Sequence, residues 1–287
     1  MTDRTALLAV LAFFLFAALP ASASLSARAA GLPDGTKILR DVAYGNDPEQ
    51  RMDVYIPEGT MNAPVILMVH GGAWFLGDKA MPRMYESKAA HWLPQGFIFV
   101  SMNYRLAPGA DALEQAADVA SAVAAVQEKA SEWGGDPSRV VPMGHSAGAH
   151  LVALALASPA IMQGQGARSV PGAVILDSAA LDLPSIMEAP HYRFYDRVFG
   201  DDPAYWREAS PLHRLAGTPP SLFVVCSTER DDACPNSESF VAAVRASGGE
   251  AALLRVDLSH REINEELGAA GPYTDAVDAF FRSLGLP

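Results

Sequence analysis

The pentapeptide Gly144-His145-Ser146-Ala147-Gly148 constrains the fold more than any other stretch of this chain. It lies between an apolar run at residues 140–143, preceded by Arg139, and a helix-like run at residues 150–156. The pattern G-x-S-x-G in that context is typical of a sharp strand-to-helix turn that holds a serine hydroxyl clear of its own backbone. The glycines are needed because so tight a turn leaves no room for Cβ atoms around the serine. We therefore expect Ser146 to be a nucleophile.

The order of the predicted elements indicates one α/β domain. Two strand-like runs with a turn-rich link suit an antiparallel start, and strands then alternate with helices, which is the order of a parallel sheet covered on both faces. Pro142 is a misfit within a central strand, and we expect the strand to leave the sheet there. The predicted strands are residues 38–44, 51–56, 65–69, 97–102, 140–143, 173–176, 222–225 and 251–256. The predicted helices are residues 83–92, 112–133, 237–246 and 273–284, and the helix after Ser146.

Composition and charge exclude several classes of partner. The chain has 287 residues, half of them hydrophobic, which is enough for one large core. Its net charge of −12 and isoelectric point of about 4.9 argue against nucleic acid or an anionic membrane surface as a partner. The sequence contains no zinc-protease, phosphate-loop or dinucleotide motif. We therefore expect neither a cofactor nor a metal.

The first 23 residues have the pattern of a secretory signal peptide. Arg4 precedes an apolar run at residues 6–19, and Ala21-Ser22-Ala23 follows as an A-x-A cleavage site. The run is short for a membrane span, but an uncleaved anchor is the alternative because an aspartate beside Arg4 weakens the positive start. We expect an exported protein, periplasmic or secreted, with its domain at residues 24–287 and no stable membrane association after cleavage.

Only two cysteines are present, Cys226 and Cys234. They are too few for a disulfide scaffold and lack the partners of a zinc site. In an oxidising compartment the two thiols could pair. A buried thiol and an unrelated second one are the alternative.

A serine hydroxyl needs a base within hydrogen-bond reach, and the base needs a third group to orient it. The chain order expected for this serine turn is nucleophile, acid, histidine. That order leaves three histidines after Ser146 as candidates for the base, namely His191, His213 and His260. His260 is the best placed because it comes just after the last predicted strand, at the sheet edge that also carries the serine.

Three aspartates are candidates for the orienting acid. Asp231 is preferred because its loop follows the predicted strand at residues 222–225, on the same sheet edge. Asp232 is its close rival, and Asp177, which ends the preceding strand, is the third choice. Most loop aspartates are turn residues or helix caps, so the preference rests on the joint placement after successive strands.

The segment His70-Gly71-Gly72 follows a buried strand and suits an oxyanion hole. Glycine lets the backbone approach a substrate oxygen, so we assign the amides of Gly71 and Gly72 as donors, with that of Ala147 after the nucleophile. His70 is expected to be a structural hydrogen-bonding residue rather than a base.

Residues 182–211 break the alternation with a segment dense in aromatics, which we interpret as a small lid insertion lining a substrate pocket. A surface subdomain whose aromatics pack on each other is the alternative. Trp74 suits either a pocket wall or the core, and His145 most simply orients the elbow. The expected substrate-binding residues are Trp74, His145, Tyr192, Phe194 and Tyr195.

Together these residues resemble the α/β-hydrolase superfamily, in its esterase branch with an H-G-G-x-W oxyanion loop and a G-x-S-A-G elbow. The chain is similar to feruloyl-esterase-like and kynurenine-formamidase-like carboxylesterases and, in outline, to hormone-sensitive-lipase-type esterases. The matching segments are residues 51–57, 70–74, 103–108, 135–139 and 144–148, with Asp231 and His260. The resemblance implies an eight-stranded, mostly parallel sheet and a triad of Ser146, Asp231 and His260. Thr228 departs from the family by replacing the glycine usual three residues before the acid.

The resemblance also implies a function. We expect a secreted serine carboxylesterase that hydrolyses short-chain or aryl carboxylic esters through an acyl-enzyme on Ser146, with a small ester as its partner. An aryl formamidase acting on N-formyl aromatic amines is the alternative enzyme. A non-catalytic binding protein on a hydrolase scaffold is a third reading, disfavoured because every triad position is filled.

Overall fold

A computed structural model describes residues 31–287, and the predicted signal peptide lies outside them. Eight strands form one sheet within this range. They are β1 (Lys37–Ala43), β2 (Arg51–Ile56), β3 (Ala63–Val69), β4 (Ile98–Met102), β5 (Gly135–His145), β6 (Gly172–Leu176), β7 (Ser221–Ser227) and β8 (Ala251–Val256).

The sheet order is β1-β2-β4-β3-β5-β6-β7-β8. Strand β2 pairs antiparallel with both β1 and β4, and every pairing from β4 onward is parallel. The antiparallel start and the mostly parallel eight-stranded sheet are therefore confirmed, as is the α/β class.

Helices cover both faces of the sheet. They are α1 (Pro82–Trp92), α2 (Ala112–Lys129), α3 (Ala147–Ala157), α4 (Pro159–Gly164), α5 (Leu183–Met187), α6 (Arg193–Phe199), α7 (Pro203–Glu208), α8 (Pro211–Arg214), α9 (Ala233–Ala246), α10 (His260–Glu265) and α11 (Pro272–Ser283). The long predicted helix ends earlier than expected, because a 3₁₀ turn at Ala130–Trp133 replaces its last turn before the left-handed Gly134. No helix among residues 31–287 has the length and apolarity needed to cross a membrane.

Strand β3 shows how the core is divided. Its residues are all buried, and successive side chains point to opposite faces of the sheet. Leu67 packs with the cluster that includes α2 and α3, whereas Ile66 packs with the cluster that includes α1 and α11. A continuous apolar run in the sequence is what a strand covered on both faces requires.

Pro142 does not end its strand, so that expectation is wrong. The residue lies inside β5 and pairs with Leu67 of β3. On the other side, pairing with β6 begins only at Met143. Pro142 thus occupies the point where β5 is not yet paired on that side, which is where a strand tolerates the loss of an N–H group.

Cys226 and Cys234 form a disulfide, with their Cα atoms 5.1 Å apart. The bond ties the end of β7 to the first turn of α9, and both residues are buried. It therefore fixes the start and the end of the loop that carries Arg230 and Asp231.

Replacing both cysteines with alanine should lower the free energy of unfolding by about 2.5 kcal/mol, because the bond closes a loop of nine residues in the unfolded chain. Urea unfolding of the oxidised protein and the double variant measures the difference. A reducing agent should destabilise the parent protein and leave the variant unchanged. Equal stability of the two proteins would contradict the disulfide.

Candidate active site

Ser146 lies at the sharp turn between β5 and α3, with a positive φ of 57°. The turn forces close approach of three backbone segments. A Cβ atom on Gly148 would lie 2.2 Å from the carbonyl oxygen of Val69, and one on Gly144 would lie 2.4 Å from that of Gly148. Both glycines are therefore required, and the predicted nucleophile turn is present in the structure.

Ser146 and His260 come together as the sequence predicted. The Oγ atom of Ser146 lies 2.9 Å from Nε2 of His260, and Nδ1 of the same ring lies 2.5 Å from Oδ2 of Asp177. The serine follows β5, the aspartate follows β6 and the histidine follows β8, so all three side chains meet at the carboxyl edge of the sheet. This is the arrangement of a nucleophile, a base and an orienting acid.

The acid is where the sequence prediction is wrong. Asp177, the third choice, holds the position that Asp231 was expected to occupy. Strand β7 runs on to Ser227, and the loop beyond it turns so that Arg230, not Asp231, reaches His260, with Nη1 3.0 Å from Nδ1. Asp231 is exposed, and its carboxylate has no partner among residues 31–287. The rival Asp232 pairs with Arg230 instead, at 3.1 Å.

Asp177 directly follows β6 and is held in place by hydrogen bonds to β7. It adopts a positive φ of 49° directly after β6, and its amide donates to the carbonyl oxygen of Val225 in β7. Its Oδ1 accepts a hydrogen bond of 2.8 Å from the amide of Ser227. The available sequence signal was its position, immediately after a fully buried strand and beside the strand of the nucleophile.

Electrostatics keep Asp177 ionised. Burial raises the pKa of its carboxyl, but the hydrogen bond from His260 and the charge of Arg230 outweigh burial and lower that pKa to about 2. Nη1 of Arg230 lies 2.8 Å from the same Oδ2 that His260 contacts. Because a buried, ionised carboxylate accepts from Nδ1–H, the Nε2 lone pair of His260 is directed at Ser146.

His145 packs against the ring of His260 and bonds to its backbone. The two rings lie 4.6 Å apart, and Nε2 of His145 donates to the carbonyl oxygen of His260 at 2.8 Å. Burial lowers the pKa of His145 to about 3, so this ring is neutral and serves as a fixed donor. The prediction that His145 orients the site agrees with these contacts. Its assignment as a substrate-binding residue stays a prediction.

Helix α10, which begins with His260, is fastened to α1 at its other end. The hydroxyl of Ser87 donates to the carbonyl oxygen of Leu267 at 2.8 Å and lies 3.2 Å from that of Glu265, and the buried Lys88 donates to that of Asn264 at 2.5 Å. These bonds satisfy carbonyls at the end of a short helix. They also fix the helix that carries the base.

The predicted oxyanion loop lies beside the nucleophile. A Cβ atom on Gly71 would lie 3.0 Å from that of Ser146, and Gly72, at a φ of 137°, would place its Cβ 2.0 Å from the carbonyl oxygen of Leu76. Within the part of the chain that the structure describes, the amides of Gly71, Gly72 and Ala147 donate to no protein acceptor. All three donors are therefore available, as an oxyanion hole requires.

His70 is a structural residue, as expected. Its Nδ1 contacts the carbonyl oxygen of Gly71 at 2.9 Å, and its ring stacks on Tyr104 at 4.5 Å. The hydroxyl of Tyr104 donates to the carbonyl oxygen of His70. Burial lowers the pKa of His70 to about 4, so it is a neutral support beneath the loop.

Trp74 belongs to the core and not to a pocket wall, which corrects its assignment as a substrate-binding residue. Only 3% of it is exposed. Its ring packs against Tyr195 and Phe199, with centroids 5.8 and 4.8 Å away, and against Phe194 at 6.4 Å. The aromatics of the 182–211 insertion thus cover a residue of the oxyanion loop.

A cavity of about 680 Å³ opens between the insertion and the loop after β7. Of the predicted substrate-binding residues, Tyr192 and Tyr195 line it, and the exposed ring of Tyr192 is stacked on Phe194 at 5.7 Å. Arg230 lies between this cavity and the serine-histidine-aspartate array, since it lines the cavity and contacts His260. Among residues 31–287, no cluster of three His, Cys, Asp or Glu side chains could hold a metal.

The sheet, the nucleophile turn and the serine-histidine-aspartate array define a member of the α/β-hydrolase class. A sequence model described as BD-FAE matches residues 52–243. The match covers more than half of the chain, so the chain belongs to the BD-FAE family. The family resemblance expected from the motifs is confirmed.

The most informative relatives are esterases. An isoprenylcysteine alpha-carbonyl methylesterase of Arabidopsis thaliana is 28% identical over 274 residues, which covers 86% of this chain and 61% of that protein. Esterase LipQ of Mycobacterium tuberculosis is 33% identical over 226 residues, 72% of this chain and 53% of its own length. The chain thus spans only about half to three-fifths of these relatives.

Solved structures support the fold. A truncated carbohydrate esterase from gut microbiota superposes with a TM-score of 0.75 at 21% identity, over 89% of this chain and 99% of its own. Esterase 2 of Thermogutta terrifontis superposes with a TM-score of 0.71 at 20% identity, over 88% of this chain and 96% of its own. At this identity the likeness establishes the α/β-hydrolase fold alone.

The identity of the acid can be tested by covalent labelling. Asp177→Asn should slow phosphonylation of Ser146 by a fluorophosphonate about 10⁴-fold, because the amide cannot hold the reactive tautomer of His260. Intact-mass spectrometry follows the labelling. Asp231→Asn is the matched control and should label within a few-fold of the parent rate. The reverse result, with only Asp231→Asn slowed, would restore the original assignment.

Three buried neutral histidines make stability depend on pH. Burial lowers the pKa of His70 and His150 to about 4 and that of His145 to about 3, each from 6.5. The unfolded state therefore binds more protons below pH 6.5, and stability is lost as the pH falls toward the folded pKa values. The free energy of unfolding should drop by about 3 to 5 kcal/mol between pH 6.5 and 5.

Urea unfolding at intervals between those two pH values measures the loss. His70→Asn should remove about a third of the pH dependence, whatever its effect on stability at pH 7. A free energy of unfolding that stays level across the interval would show that the three histidines are not buried as neutral rings.

Proposed function

We propose that this protein is a serine carboxylesterase that hydrolyses short-chain or aryl carboxylic esters. One observation carries the proposal: the continuous array from Ser146 Oγ through His260 to Asp177, with contacts of 2.9 and 2.5 Å. Beside it lie the amides of Gly71 and Ala147, which donate to no acceptor within residues 31–287. Membership of the BD-FAE family and the esterase relatives support it.

Acylation follows from this geometry. Nε2 of His260 takes the proton of Ser146 as Oγ attacks the ester carbonyl carbon. The negative charge that develops on the carbonyl oxygen is stabilised by the N–H groups of Gly71, Gly72 and Ala147. The imidazolium is stabilised by Asp177 through Nδ1–H. His260 then gives its proton to the departing alkoxide, which leaves as the alcohol.

Deacylation repeats these steps with water as the nucleophile. Nε2 of His260 removes a proton from a water molecule that attacks the acyl carbon, and the same three amides hold the oxyanion. Collapse of the intermediate breaks the bond to Ser146 Oγ, which recovers its proton from the imidazolium. The carboxylic acid is released and the enzyme is restored.

The cavity lined by Tyr192 and Tyr195 supports aryl or short-chain groups as one part of the substrate. Its volume of about 680 Å³ lies within the range of small-molecule sites, and aromatic rings bind flat groups by stacking. Relatives whose names specify a methylesterase and a carbohydrate esterase indicate that small alcohol groups and sugars belong in a substrate panel.

We also propose that the protein is exported, periplasmic or secreted. The leader-like pattern of the first 23 residues supports this, and the disulfide between Cys226 and Cys234 fits an oxidising compartment. Fractionation of expressing cells, with sequencing of the mature N-terminus, tests the proposal. Mature protein beginning at Ser24 outside the cytoplasm is the expected result, and an intact N-terminus in the cytoplasm would contradict it.

Ester turnover tests the central role of Ser146. Ser146→Ala should lower kcat for p-nitrophenyl acetate by about a million-fold, because the triad acts as a unit. A panel from acetate to laurate, with methyl ferulate, defines acyl preference. Near-normal turnover by the variant would refute the assignment of the nucleophile.

The same panel separates the alternative enzyme. N-formylkynurenine, assayed beside the short esters, would be the preferred substrate of an aryl formamidase. Faster hydrolysis of the formamide than of every ester would replace the carboxylesterase proposal. Absence of both activities, with no labelling of Ser146, would favour a non-catalytic protein.

A further inference from the structure

The oxyanion loop has an unusual backbone after its glycines. Ala73 and Trp74 both adopt positive φ, at 50° and 66°. L-residues avoid this region, so two in succession persist only where surrounding contacts hold them. The contacts that hold Ala73 and Trp74 therefore also bear on where the neighbouring amides of Gly71 and Gly72 lie.

Trp74 supplies contacts from both its backbone and its ring. Its carbonyl oxygen accepts hydrogen bonds from the amide of Ala107 and from Nε2 of Gln115, each at 2.9 Å. Its indole Nε1 donates to Nδ1 of His150 at 3.0 Å. Trp74, whose backbone is strained, therefore takes part in three hydrogen bonds, two at its carbonyl oxygen and one at its indole.

His150 extends the connection. It is fully buried on α3, one turn after the nucleophile, and its Nε2 lies 2.7 Å from the carbonyl oxygen of Ala209. An indole N–H can only donate and a carbonyl can only accept, so Nδ1 of His150 is the acceptor and Nε2 carries the proton. Burial lowers the pKa of His150 to about 4, which keeps this neutral form.

Ala209 belongs to the insertion at residues 182–211, as do the rings of Tyr195 and Phe199 that enclose Trp74. The insertion thereby contacts the oxyanion loop from two sides: through aromatic packing on the indole and through the hydrogen-bonded chain from Trp74 by way of His150 to Ala209.

We propose that this chain, from Trp74 through His150 to Ala209, positions the oxyanion amides of Gly71 and Gly72, so that the insertion controls the chemical step as well as lining the cavity. Trp74 and His150 are positioning residues, since neither touches the reacting atoms. The inference rests on the proposed esterase function.

The expected signature is a loss in kcat without a change in KM. Displacement of oxyanion donors weakens interactions that form only in the transition state, whereas ground-state binding stays the same. A displacement of about 1 Å is enough to cost roughly 100-fold in rate. A residue that only stabilised the fold would lower the amount of active protein and leave kcat per active site unchanged.

Trp74→Phe removes the indole N–H and keeps an aromatic ring. It should lower kcat per active site by about 10- to 100-fold with KM within twofold of the parent value. Trp206→Phe is the matched control, because Trp206 lies in the insertion at residues 182–211 and its indole N–H is directed at the carbonyls of Phe199 and Gly200 rather than at His150. It should leave kcat within twofold. Active sites are counted by phosphonylation of Ser146, and its rate is recorded as a second readout.

A second pair of variants tests the link to His150. His150→Asn retains an acceptor near Nδ1 and should preserve more activity than His150→Leu, which removes it. Combining His150→Leu with Trp74→Phe should cost little more than either change alone, because both break the same bond.

The outcomes separate this inference from the function on which it rests. A parent enzyme that depends on Ser146, with Trp74→Phe no slower than Trp206→Phe, would overturn the positioning role and leave the esterase intact. Fully additive losses in the double variant would also overturn it. A parent protein that neither hydrolyses esters nor reacts with phosphonates at Ser146 would overturn both.

Discussion

The close approach of backbones at the nucleophile turn is the constraint on which the rest of the structure depends. Gly148 lies against the carbonyl of Val69, and Gly144 lies against Gly148, with no space for a Cβ atom at either position. This contact joins the ends of β3 and β5 to the start of α3. Ser146 is thereby fixed at the carboxyl edge of the sheet, where the loops after β3, β6 and β8 bring the remaining groups of the site.

Much of the fold and two of the three residues of the array could be predicted because they depend on local patterns. Buried apolar runs such as β3, with helical segments between them, specify a parallel sheet, and the glycines around Ser146 specify the turn. His260 could be identified because it is the histidine nearest to the end of the last strand. In each case the chemistry follows directly from the position in the chain.

The other features depend on contacts across strands, which no local pattern contains. Several carboxylates follow β6 and β7, and only the path of the loop decides that Arg230 faces His260 while Asp177 reaches Nδ1. The role of Trp74 was equally inaccessible, because its aromatic ring suits a pocket wall as well as a core. Its partner His150 and the insertion that buries it lie about 75 to 125 residues away.

The most direct measurement is a crystal structure of the protein after reaction with a phosphonate ester. We expect a covalent bond to Ser146 Oγ, with the phosphonyl oxygen within about 2.7 to 3.1 Å of the amide nitrogens of Gly71 and Ala147. We also expect Asp177 to keep its contact with Nδ1 of His260. An adduct on another residue, or an oxygen directed away from both amides, would contradict the proposed active site.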